Sequence, residues 1–552
     1  MERKKASGRE KSSALACYSR AMMDDTTTDV PDPAELKRFR ALRDQLPQVW
    51  DAMQSDPTWE HTSVIVPSLS VNQEELSKVQ GATFYEERLL FGLIRLRNPR
   101  ARVIYVTSQP IHPDIIDYYL QLLVGVPARH AQQRLFLLCM YDGSPRPLSQ
   151  KILERPRVLD RIRRWIGDPF RAYLTVYNST ELERKLAVAL EIPLNALDPD
   201  LLWLGTKSGS RKLFKQAGIN CAYGMEDLNT EDEVIDALVK IAEERPGIKR
   251  AVVKLNEGFS GEGNGIFRYP DPLPEDPEAQ QRAISDELRN LQWAAPESYT
   301  NFMRKFSEMG GIVEEFLEAK TVHSPSVQLR IHPDGRPALV SSHDQILGGS
   351  TGQVYLGCRF PADDDYRTAI QSEAVKVAEL LSGHGVVSRF GIDFLVYRDS
   401  DDDPWKTAAV EINLRMGGTT PPFMALEFLT GGDLSPVTGL FHSPDGRPKY
   451  YYSTDNLRSP AYRGLLPEDF MEILVHHGIH FRHAAGTGVL FFMIGALSQY
   501  GKLGVTCVGD SREEADQLYQ QAVAVLDHET EAAPRTRGRL YPMFYGSVGK
   551  ME

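Results

Sequence analysis

Four apolar segments of strand length, spaced between residues 60 and 203, constrain the fold of this 552-residue chain most strongly. They are rich in Val, Ile, Leu and aromatic residues and cover residues 63–69, 102–108, 134–141 and 172–178. Stretches with the apolar spacing of a helix separate them, as in residues 113–124. Strands that alternate with helices form a parallel sheet covered on both sides. We therefore predict an α/β domain over residues 60–203.

The pattern changes to α+β after residue 204. The segment KSGSRKLFKQAG predicts a helix that ends at Gly218, and Thr230 with Glu233 has the spacing of a capping box for a second helix. A strand over residues 251–255 precedes a glycine-rich loop. Further strands follow, and the segment HPDG between two of them is a hairpin turn signal. We place this region at residues 204–440, with lobes at 204–315 and 316–440.

Residues 441–552 are predicted to form a small C-terminal α+β module. The segments VLFFMIGAL and LGVTCVG have the pattern of a hairpin, and a helix follows at Arg512 to Leu526 with Asp510 or Ser511 as its cap. At the other end of the chain, residues 1–33 are basic and then polar and lack the hydrophobic segment of a secretory signal. We predict a disordered leader there.

Composition excludes several classes of protein. Lys and Arg total 63 and Asp and Glu total 75, which gives a net charge of −12. This balance argues against nucleic-acid or anionic-membrane binding, since both need a basic surface. No apolar run reaches the roughly 18 residues of a membrane helix. The five cysteines are scattered without any C-x-x-C pair, which is typical of a cytoplasmic protein.

The segment VEINLRMGG (residues 410–418) is the most informative local motif. Side chains alternate between the two faces of a strand, so Glu411, Asn413 and Arg415 project together. A carboxylate and an amide oxygen suit a hard divalent cation, and a guanidinium beside them suits a phosphate. Asp393 lies on the preceding apolar strand, and an antiparallel pairing would bring it near Glu411. The alternative is a half-exposed strand with a structural Glu411–Arg415 ion pair.

Two further features are weaker when taken alone. Lys254 precedes four closely spaced glycines, which permit close backbone approach to a phosphate but also occur in surface hairpins. The apolar strand segment VEEFL (313–317) carries two acids and has groups that can bind adenine and ribose, although such a segment by itself is most often an edge strand with solvated glutamates. Lys207, ahead of a helix, is most simply a solvated lysine.

The order of these motifs resembles the ATP-grasp superfamily of carboxylate–amine ligases, over residues 204–429. Lys207, Lys254, the glycine loop, VEEFL, Asp393 and VEINLRMGG occur in the sequence that this superfamily uses. The whole chain resembles most the peptide ligases of the pheganomycin type. The resemblance implies an α/β pre-ATP-grasp domain, a two-subdomain ATP-grasp fold and a small C-terminal module.

The resemblance also implies roles for individual residues. Lys207 and Lys254 match the lysines that contact the ATP phosphates. The flap over the triphosphate matches Gly258, Ser260, Gly261 and Gly263, and the adenine-binding linker matches Glu314, Glu315, Phe316 and Leu317, with Glu315 or Glu318 as the ribose ligand. The magnesium ligands match Asp393, Glu411 and Asn413. Arg415 matches the arginine near the transferred phosphoryl group, and with Lys254 and Arg330 it completes the catalytic candidates.

One departure affects the ribose assignment. Many members carry an acidic residue on the strand after the linker, whereas this chain has Ser324-Pro325-Ser326-Val327-Gln328. Arg330, His343, Gln345 and the pair Thr419–Thr420 are further candidates for contacting a substrate, and a purely structural role is the simpler interpretation for His343.

The implied activity is ATP-dependent amide formation through an acyl phosphate. The cofactors would be ATP and Mg²⁺, with Mn²⁺ as a substitute, and the partners a small-molecule carboxylate and the amine of an amino acid or peptide. A homo-oligomer is compatible with these features. Two alternatives stay open from sequence: a non-catalytic nucleotide-binding scaffold, and a carboxylate–thiol ligase or kinase on the same fold.

Overall fold

The computed structural model describes residues 32–71, 73–77, 79–258, 263–293, 297–348 and 354–532. The predicted leader therefore lies almost entirely outside the described residues. The described chain begins with Asp32, whose side chain accepts a hydrogen bond at the start of the first helix.

Twenty strands form three sheets. In chain order they are β1 His61–Val66, β2 Ala101–Thr107, β3 Leu135–Cys139, β4 Ala172–Val176, β5 Gly224–Leu228, β6 Arg250–Leu255, β7 Asn264–Arg268, β8 Gln292–Trp293, β9 Gly311–Glu315, β10 Thr321–His323, β11 Pro325–Ile331, β12 Pro337–Gly348, β13 Val354–Phe360, β14 Ser388–Arg398, β15 Lys406–Asn413, β16 Asp433–Leu434, β17 Phe441–His442, β18 Pro448–Arg458, β19 Gly488–Phe492 and β20 Lys502–Gly509.

The helices lie between and around these strands. They are α1 Pro33–Arg43, α2 Leu46–Ser55, α3 Gln73–Ser77, α4 Pro113–Gln121, α5 Ala128–Gln132, α6 Leu148–Leu153, α7 Pro156–Ile166, α8 Glu181–Leu190, α9 Lys207–Ala217, α10 Glu231–Glu244, α11 Pro277–Leu288, α12 Tyr299–Met309, α13 Arg367–Gly383, α14 Thr420–Thr430, α15 Pro467–His477, α16 Leu497–Tyr500 and α17 Arg512–Ala532. Short 3-10 segments also occur, of which the longest is Ala82–Arg97.

The first sheet is parallel, with strand order β3-β2-β1-β4. Val64, Ile104 and Leu174 face one apolar layer with α6 and α7, while Val103 and Tyr105 face another with α4 and the long 3-10 segment. The predicted covered parallel sheet is confirmed. The sequence analysis did not predict α1, α2 or the 3-10 segment, although Leu46, Val49, Trp50 and Met53 of α2 have the spacing of one helix face.

The second sheet is antiparallel, with order β5-β9-β6-β7-β8. Helices α10 and α12 cover one of its faces through a core that includes Val253, Val313 and Phe302. The helix α10 begins with the predicted capping box, in which the Glu233 carboxylate accepts a hydrogen bond from the Thr230 N–H and the Thr230 hydroxyl accepts one from the Glu233 N–H. Gly218 ends α9 in the left-handed conformation, as predicted.

The third sheet contains eleven strands and is continuous with the C-terminal region. The hairpin β14–β15 pairs Asp393 with Glu411, and one extra residue, Val410, forms a bulge in β15 beside this pair. The strands β19 and β20 form the predicted hairpin, and Ser511 is the residue that caps α17. These strands do not form a sheet of their own, because β18 pairs both β13 and β20.

The N-terminal and C-terminal regions share a core. Leu93 and Tyr119 from the first belong to the same apolar cluster as Phe470 and Phe491 from the second. Arg88 forms a buried ion pair with Asp455. No described helix is long and apolar enough to cross a membrane.

Candidate active site

Two sheets present polar faces to a common cleft. In the third sheet, Val327, Phe390 and Ile392 point to α9 and α13 and form an apolar core. Residues in alternate positions therefore point the other way, and they include Asp393 and Gln345. In the second sheet, the face opposite the α10 core carries Lys254 and Glu314. The cleft lies between these two polar faces.

Asp393, Glu411 and Asn413 form one cluster in this cleft, as predicted from their spacing. The Asn413 amide nitrogen donates to Asp393 Oδ2 at 3.0 Å and to Glu411 Oε1 at 3.3 Å. Gln345 donates to Asp393 Oδ1 at 2.7 Å. Two carboxylates are thus held close together by amide side chains, and this arrangement provides several oxygen atoms to a cation.

The two carboxyl groups of this cluster differ in pKa. Burial and the neighbouring charge of Glu411 raise the pKa of Asp393 above its usual value. Burial alone would raise the pKa of Glu411 also, but the charges of Lys207, Lys254 and Arg415 outweigh it and hold that pKa below the usual value. Like charges at close range cannot both ionise without a compensating cation.

Lys207 is part of the site and is not the solvated lysine of the simpler interpretation. Only 7% of its surface is exposed. Its Nζ forms an ion pair with Glu411 and donates to the Gly258 carbonyl at 3.4 Å. Glu411 therefore pairs with Lys207, at the start of α9, and not with Arg415, two residues beyond the end of β15. The N–H of Ile412 also donates to Ser210 on α9, which fixes that helix against β15.

Lys254 and Glu314 form a second ion pair, at 2.5 Å, across the strands β6 and β9. Arg211 completes it: this arginine is 1% exposed and donates to Glu314 Oε2 at 2.8 Å and to the carbonyls of Ala222 and Gly224. Arg211 was missed from the sequence. Its position four residues after Lys207 in α9, on the same helix face, was the available signal.

The predicted adenine linker divides its acidic residues between two faces. Glu315 alternates with Glu314 and lies on the α10 side, where it accepts hydrogen bonds from the Tyr223 N–H and from Arg245. Glu318 is exposed and accepts a hydrogen bond from Arg250 at 2.7 Å, and the same guanidinium lies 3.9 Å from the centroid of the Phe316 ring. Leu317 is half-buried. Of the two ribose candidates, Glu318 is therefore the one not held on the α10 side.

The predicted flap is described only at its base. Ser260 and Gly261 lie outside the described residues. The carbonyl of Gly263 accepts a hydrogen bond from the Leu255 N–H at 3.0 Å, and its φ of +81° lies in the left-handed region that favours glycine. Gly258 lies 3.4 Å from the position that a Cβ on Gly263 would take, so the two chains of the hairpin approach closely at its base.

Arg415 and Arg330 occupy different parts of the cleft. Arg415 lies close enough to the metal cluster to lower the pKa values of Asp393 and Glu411. Arg330 is paired across the sheet with Arg389, four residues from the Asp393 position, which is ~13 Å along a strand. Its guanidinium lies 4.7 Å from the centroid of the Trp50 ring. The structure therefore does not bring Arg330 to the metal cluster.

The remaining predicted contact residues have structural partners. His343 is fully buried, its Nε2 lies 2.5 Å from the Tyr451 hydroxyl, and burial lowers its pKa to about 3. The hydroxyls of Thr419 and Thr420 are hydrogen-bonded to Gln328. These contacts support the structural interpretation of His343 and place the threonines at the start of α14.

The donor set fits a magnesium ion. Asp393, Glu411 and Asn413 offer only oxygen ligands, and no histidine or cysteine belongs to the cluster as the structure describes it. The raised pKa of Asp393 shows a carboxyl group that a divalent cation would stabilise in its charged form.

Comparisons with known proteins identify the family and the fold of this chain. A family model described as "IQCH-like, ATP-grasp" matches residues 201–295 and 289–436, and one described as "PGM1 C-terminal domain" matches residues 469–522. The L-propargylglycine–L-glutamate ligase of Streptantibioticus cattleyicolor is 30% identical over 474 residues, which cover 84% of this chain and 94% of that ligase. IQ motif-containing protein H of Danio rerio is 22% identical over 557 residues, and the match spans 91% of this chain but only 51% of that relative.

Solved structures share the fold at low identity. The biotin carboxylase domain of Hydrogenobacter thermophilus 2-oxoglutarate carboxylase, solved with ADP, its magnesium salt and bicarbonate, has a TM-score of 0.51 at 13% identity and covers 85% of this chain and 93% of its own. Biotin carboxylase from Campylobacter jejuni, solved in an ATP complex, has a TM-score of 0.51 at 11% identity, with coverage of 87% and 97%. The fold, the order of the charged residues and the 30% identity across 94% of a curated ligase lead to one conclusion: this chain belongs to the ATP-grasp family of ligases.

Proposed function

We propose that this enzyme joins the carboxylate of an amino acid or a similar small acid to the amine of an amino acid or peptide, with ATP as the energy source. The observation that carries the proposal is the meeting of Lys207 with Glu411. These residues are 204 positions apart, and their contact brings a proposed phosphate-binding group at the start of α9 to the proposed metal cluster on β14 and β15.

The phosphate-binding groups are Lys207 and Lys254. Each is largely buried and each pairs with a carboxylate of the cleft, Glu411 and Glu314 respectively. A triphosphate brought between them would replace these carboxylates as the partner of each ammonium group. The loop from Gly258 to Gly263 starts beside Lys207 and would cover the same phosphates.

The metal-binding groups are Asp393, Glu411 and Asn413. They would hold Mg²⁺, or Mn²⁺ in its place, beside the phosphates. When bound, such an ion neutralises phosphate charge and orients the transferred group. Gln345 keeps one Asp393 oxygen in position through its 2.7 Å hydrogen bond. Because the two carboxylates come from neighbouring strands, the cluster is rigid before any ligand arrives.

The nucleoside is proposed to lie along the linker from Glu314 to Leu317. Phe316, stacked on Arg250, forms one wall, and Glu318 is the better placed ribose ligand because Glu315 is held by Arg245 on the other face. The backbone groups of residues 316 and 317 would recognise the adenine edge.

Arg415 is proposed to stabilise the transferred phosphoryl group. A substrate carboxylate oxygen attacks the γ-phosphorus of ATP and ADP leaves, which gives an acyl phosphate. The amine nitrogen then attacks the acyl carbon, the C–O bond to phosphate breaks, and the amine loses a proton. The protein positions the reactants and offsets their charge, so no side-chain nucleophile is needed.

The test is ATP turnover with defined substrate pairs. The purified chain is incubated with ATP and Mg²⁺ and with an amino-acid carboxylate, an amine, both, or neither. ADP and phosphate release should require both, and mass spectrometry should show a product that equals the two substrates minus water. Turnover that yields a phosphorylated product or a thioester would assign the chain to a different reaction, and ATP binding without turnover across a broad panel would contradict the proposal.

A further inference from the structure

A cavity of about 250 Å³ adjoins the metal cluster, between the N-terminal parallel sheet and the third sheet. It is bounded on one side by residues that follow β4 and on the other by β11, β14 and the segment after β15. Much of its surface is apolar and comes from side chains such as Trp50 and Phe91. Arg415 lies at its boundary with the cluster of Asp393 and Glu411, so the cavity continues from the proposed site of phosphoryl transfer.

Among the described residues, four arginines line this cavity and no acidic residue does. They are Arg95, Arg330, Arg389 and Arg415. This concentration of positive charge stands out in a chain whose net charge is −12. Glu427 is the acid that interacts electrostatically with Arg330 and Arg389, but it does not line the cavity.

Neither Arg330 nor Arg389 has a carboxylate within ion-pair distance among the described residues, and Glu427 acts on them only through longer-range electrostatics. Neither guanidinium forms a hydrogen bond or an ion pair with any residue in the part of the chain that the structure describes, whereas Lys207, Arg211 and Lys254 each form an ion pair. Both are half-buried. Burial and the neighbouring charge of Arg389 lower the pKa of Arg330, which is the direction expected for an uncompensated cation. A bound anion would compensate both.

On β14, a single glycine, Gly391, lies between Arg389 and the metal cluster on the same face of the strand. Asp393, Gly391 and Arg389 occupy alternate positions and therefore lie on one face. A Cβ on Gly391 would meet only the Val327 carbonyl, at 3.9 Å. The β14 position between the metal cluster and the arginines thus has no side chain, and the gap of ~13 Å between the Cα atoms of residues 393 and 389 suits a molecule of amino-acid size.

We propose that Arg330 and Arg389 bind an anionic group of the substrate other than the carboxylate that is activated, and that they select acidic substrates for one of the two substrate positions. The chemistry is that of a carboxylate or phosphate group with two oxygens presented to paired guanidinium groups. Arg95, which donates to Ser63 at 2.6 Å, adds charge from the opposite wall. This inference rests on the proposed function for the identity of the site.

The experiment measures binding and turnover separately. Calorimetry with a non-hydrolysable ATP analogue and Mg²⁺ present compares L-aspartate and L-glutamate with their amides, and O-phosphoserine and inorganic phosphate with serine. The acidic amino acids should bind at least 10-fold more tightly than the amides. Steady-state kinetics then uses every compound as carboxylate or amine with a panel of partners.

The variants are Arg389→Met and Arg330→Gln, with Arg336→Gln as the matched control. Arg336 lies on the same β11–β12 hairpin but is exposed and paired with Asp334. Losing one charge-assisted pair should raise the Kd and KM for the acidic substrate about 10- to 100-fold while the KM for ATP and the values for neutral substrates stay within twofold. Arg389→Lys should recover part of the loss, since it keeps the charge but not the fork.

Each outcome decides one of the two proposals. Preferential binding of acidic amino acids that Arg389→Met abolishes supports the arginine pair, even if no amide is formed, in which case the proposed function is the one that fails. Amide formation from neutral substrates with no effect of either variant overturns the arginine pair and leaves the function standing. Tight binding of O-phosphoserine alone would assign the pair to a phosphate group, and binding of inorganic phosphate alone, without any amino acid, would contradict a substrate role.

Discussion

The two cationic regions of the cleft differ in how their charges are compensated. Around the proposed nucleotide site, Lys207, Lys254 and Arg211 each face a carboxylate within ion-pair distance. In the neighbouring cavity, Arg330 and Arg389 face none among the described residues. The first region is a closed network of protein charges, whereas the second presents charges to a space that a ligand must fill.

This difference separates stability from recognition. A buried ion pair contributes little net stability, but removing one partner leaves the other uncompensated and costs ~3–5 kcal/mol. Neither Arg330 nor Arg389 lies within ion-pair distance of a carboxylate of the described chain, so the loss of either leaves no ion-pair partner behind, and only the longer-range attraction to Glu427 is lost. Substitutions in the network should therefore lower both stability and activity, whereas substitutions of the arginine pair should lower activity alone.

The largest effect on stability is expected for Arg211→Met. This residue holds the Glu314 carboxylate and two backbone carbonyls. Its removal should lower the free energy of unfolding by ~3–5 kcal/mol. Urea denaturation measures this change, and Arg389→Met is the matched arginine control, expected to change stability by less than ~1 kcal/mol. Equal losses of unfolding free energy in Arg211→Met and Arg389→Met would contradict the distinction between the ion-pair network and the arginine pair.

The largest effect on catalysis is expected for Glu411→Gln. Removing a charged ligand of the proposed magnesium ion should lower kcat/KM at least ~100-fold. Mutating a residue that only hydrogen-bonds to a metal ligand already lowers metal affinity or activity by ~10–100-fold. Stability should change less than in Arg211→Met, since the loss of the Lys207 pair is offset by relief of repulsion with Asp393.

The control for this variant is Asp399→Asn, at an exposed pair with Lys406 in the turn of the same β14–β15 hairpin. It makes the same chemical change with no expected effect on turnover. Near-full activity of Glu411→Gln, measured as ADP release at saturating Mg²⁺, would remove Glu411 from the metal site.

An intermediate effect is expected for Gly391→Val, which fills the floor between the two regions. Since a Cβ there has ordinary space and valine favours strands, folding should be unaffected. The added side chain would occupy the path of the substrate, and kcat/KM for the acidic substrate should fall ~10- to 50-fold while the KM for ATP is unchanged. Gly383→Val, at the end of α13 where a Cβ meets nothing within 4 Å, is the control.

The sequence predicted the nucleotide region far better than the cavity. Glu411, Asn413 and Asp393 lie on two consecutive strands, so alternation and one hairpin were enough to bring them together. Lys207 and Lys254 required the family resemblance, because nothing local indicates their burial. Arg330 and Arg389, 59 residues apart in the chain, are brought together by the pairing of β11 with β14, and the opposite wall comes from another sheet. No periodicity in the sequence encodes that contact.

The same reasoning predicts that a group without an ion-pair partner stays charged only where it borders a cavity that a ligand or solvent can enter. Glu87 is the opposite case, a buried carboxyl group with no such cavity. Its side chain is buried in the N-terminal region and accepts a hydrogen bond from the Gly495 N–H at 3.1 Å, and no cation of the described chain forms an ion pair with it. Burial raises its pKa to about 7, with the charge of Glu86 adding to the effect. Unlike Arg330, Glu87 therefore takes up a proton instead of keeping its charge.

The change Glu87→Gln tests this contrast through the pH dependence of the free energy of unfolding. A raised pKa in the folded state means that the stabilising contribution is complete below the unfolded pKa near 4.5 and is lost as the pH rises through about 7. Glutamine keeps the acceptor for Gly495 and cannot ionise. The variant should match the wild type at pH 5, exceed it by ~2–3 kcal/mol at pH 8, and flatten the decline between them. The control is Glu308→Gln, at an exposed helical ion pair with Arg304, and it should leave the pH profile of stability unchanged. If Glu87→Gln kept the same decline of stability with pH as the wild type, Glu87 would be charged in the folded protein. Burial without a cavity would then not be enough to neutralise a group that lacks an ion-pair partner.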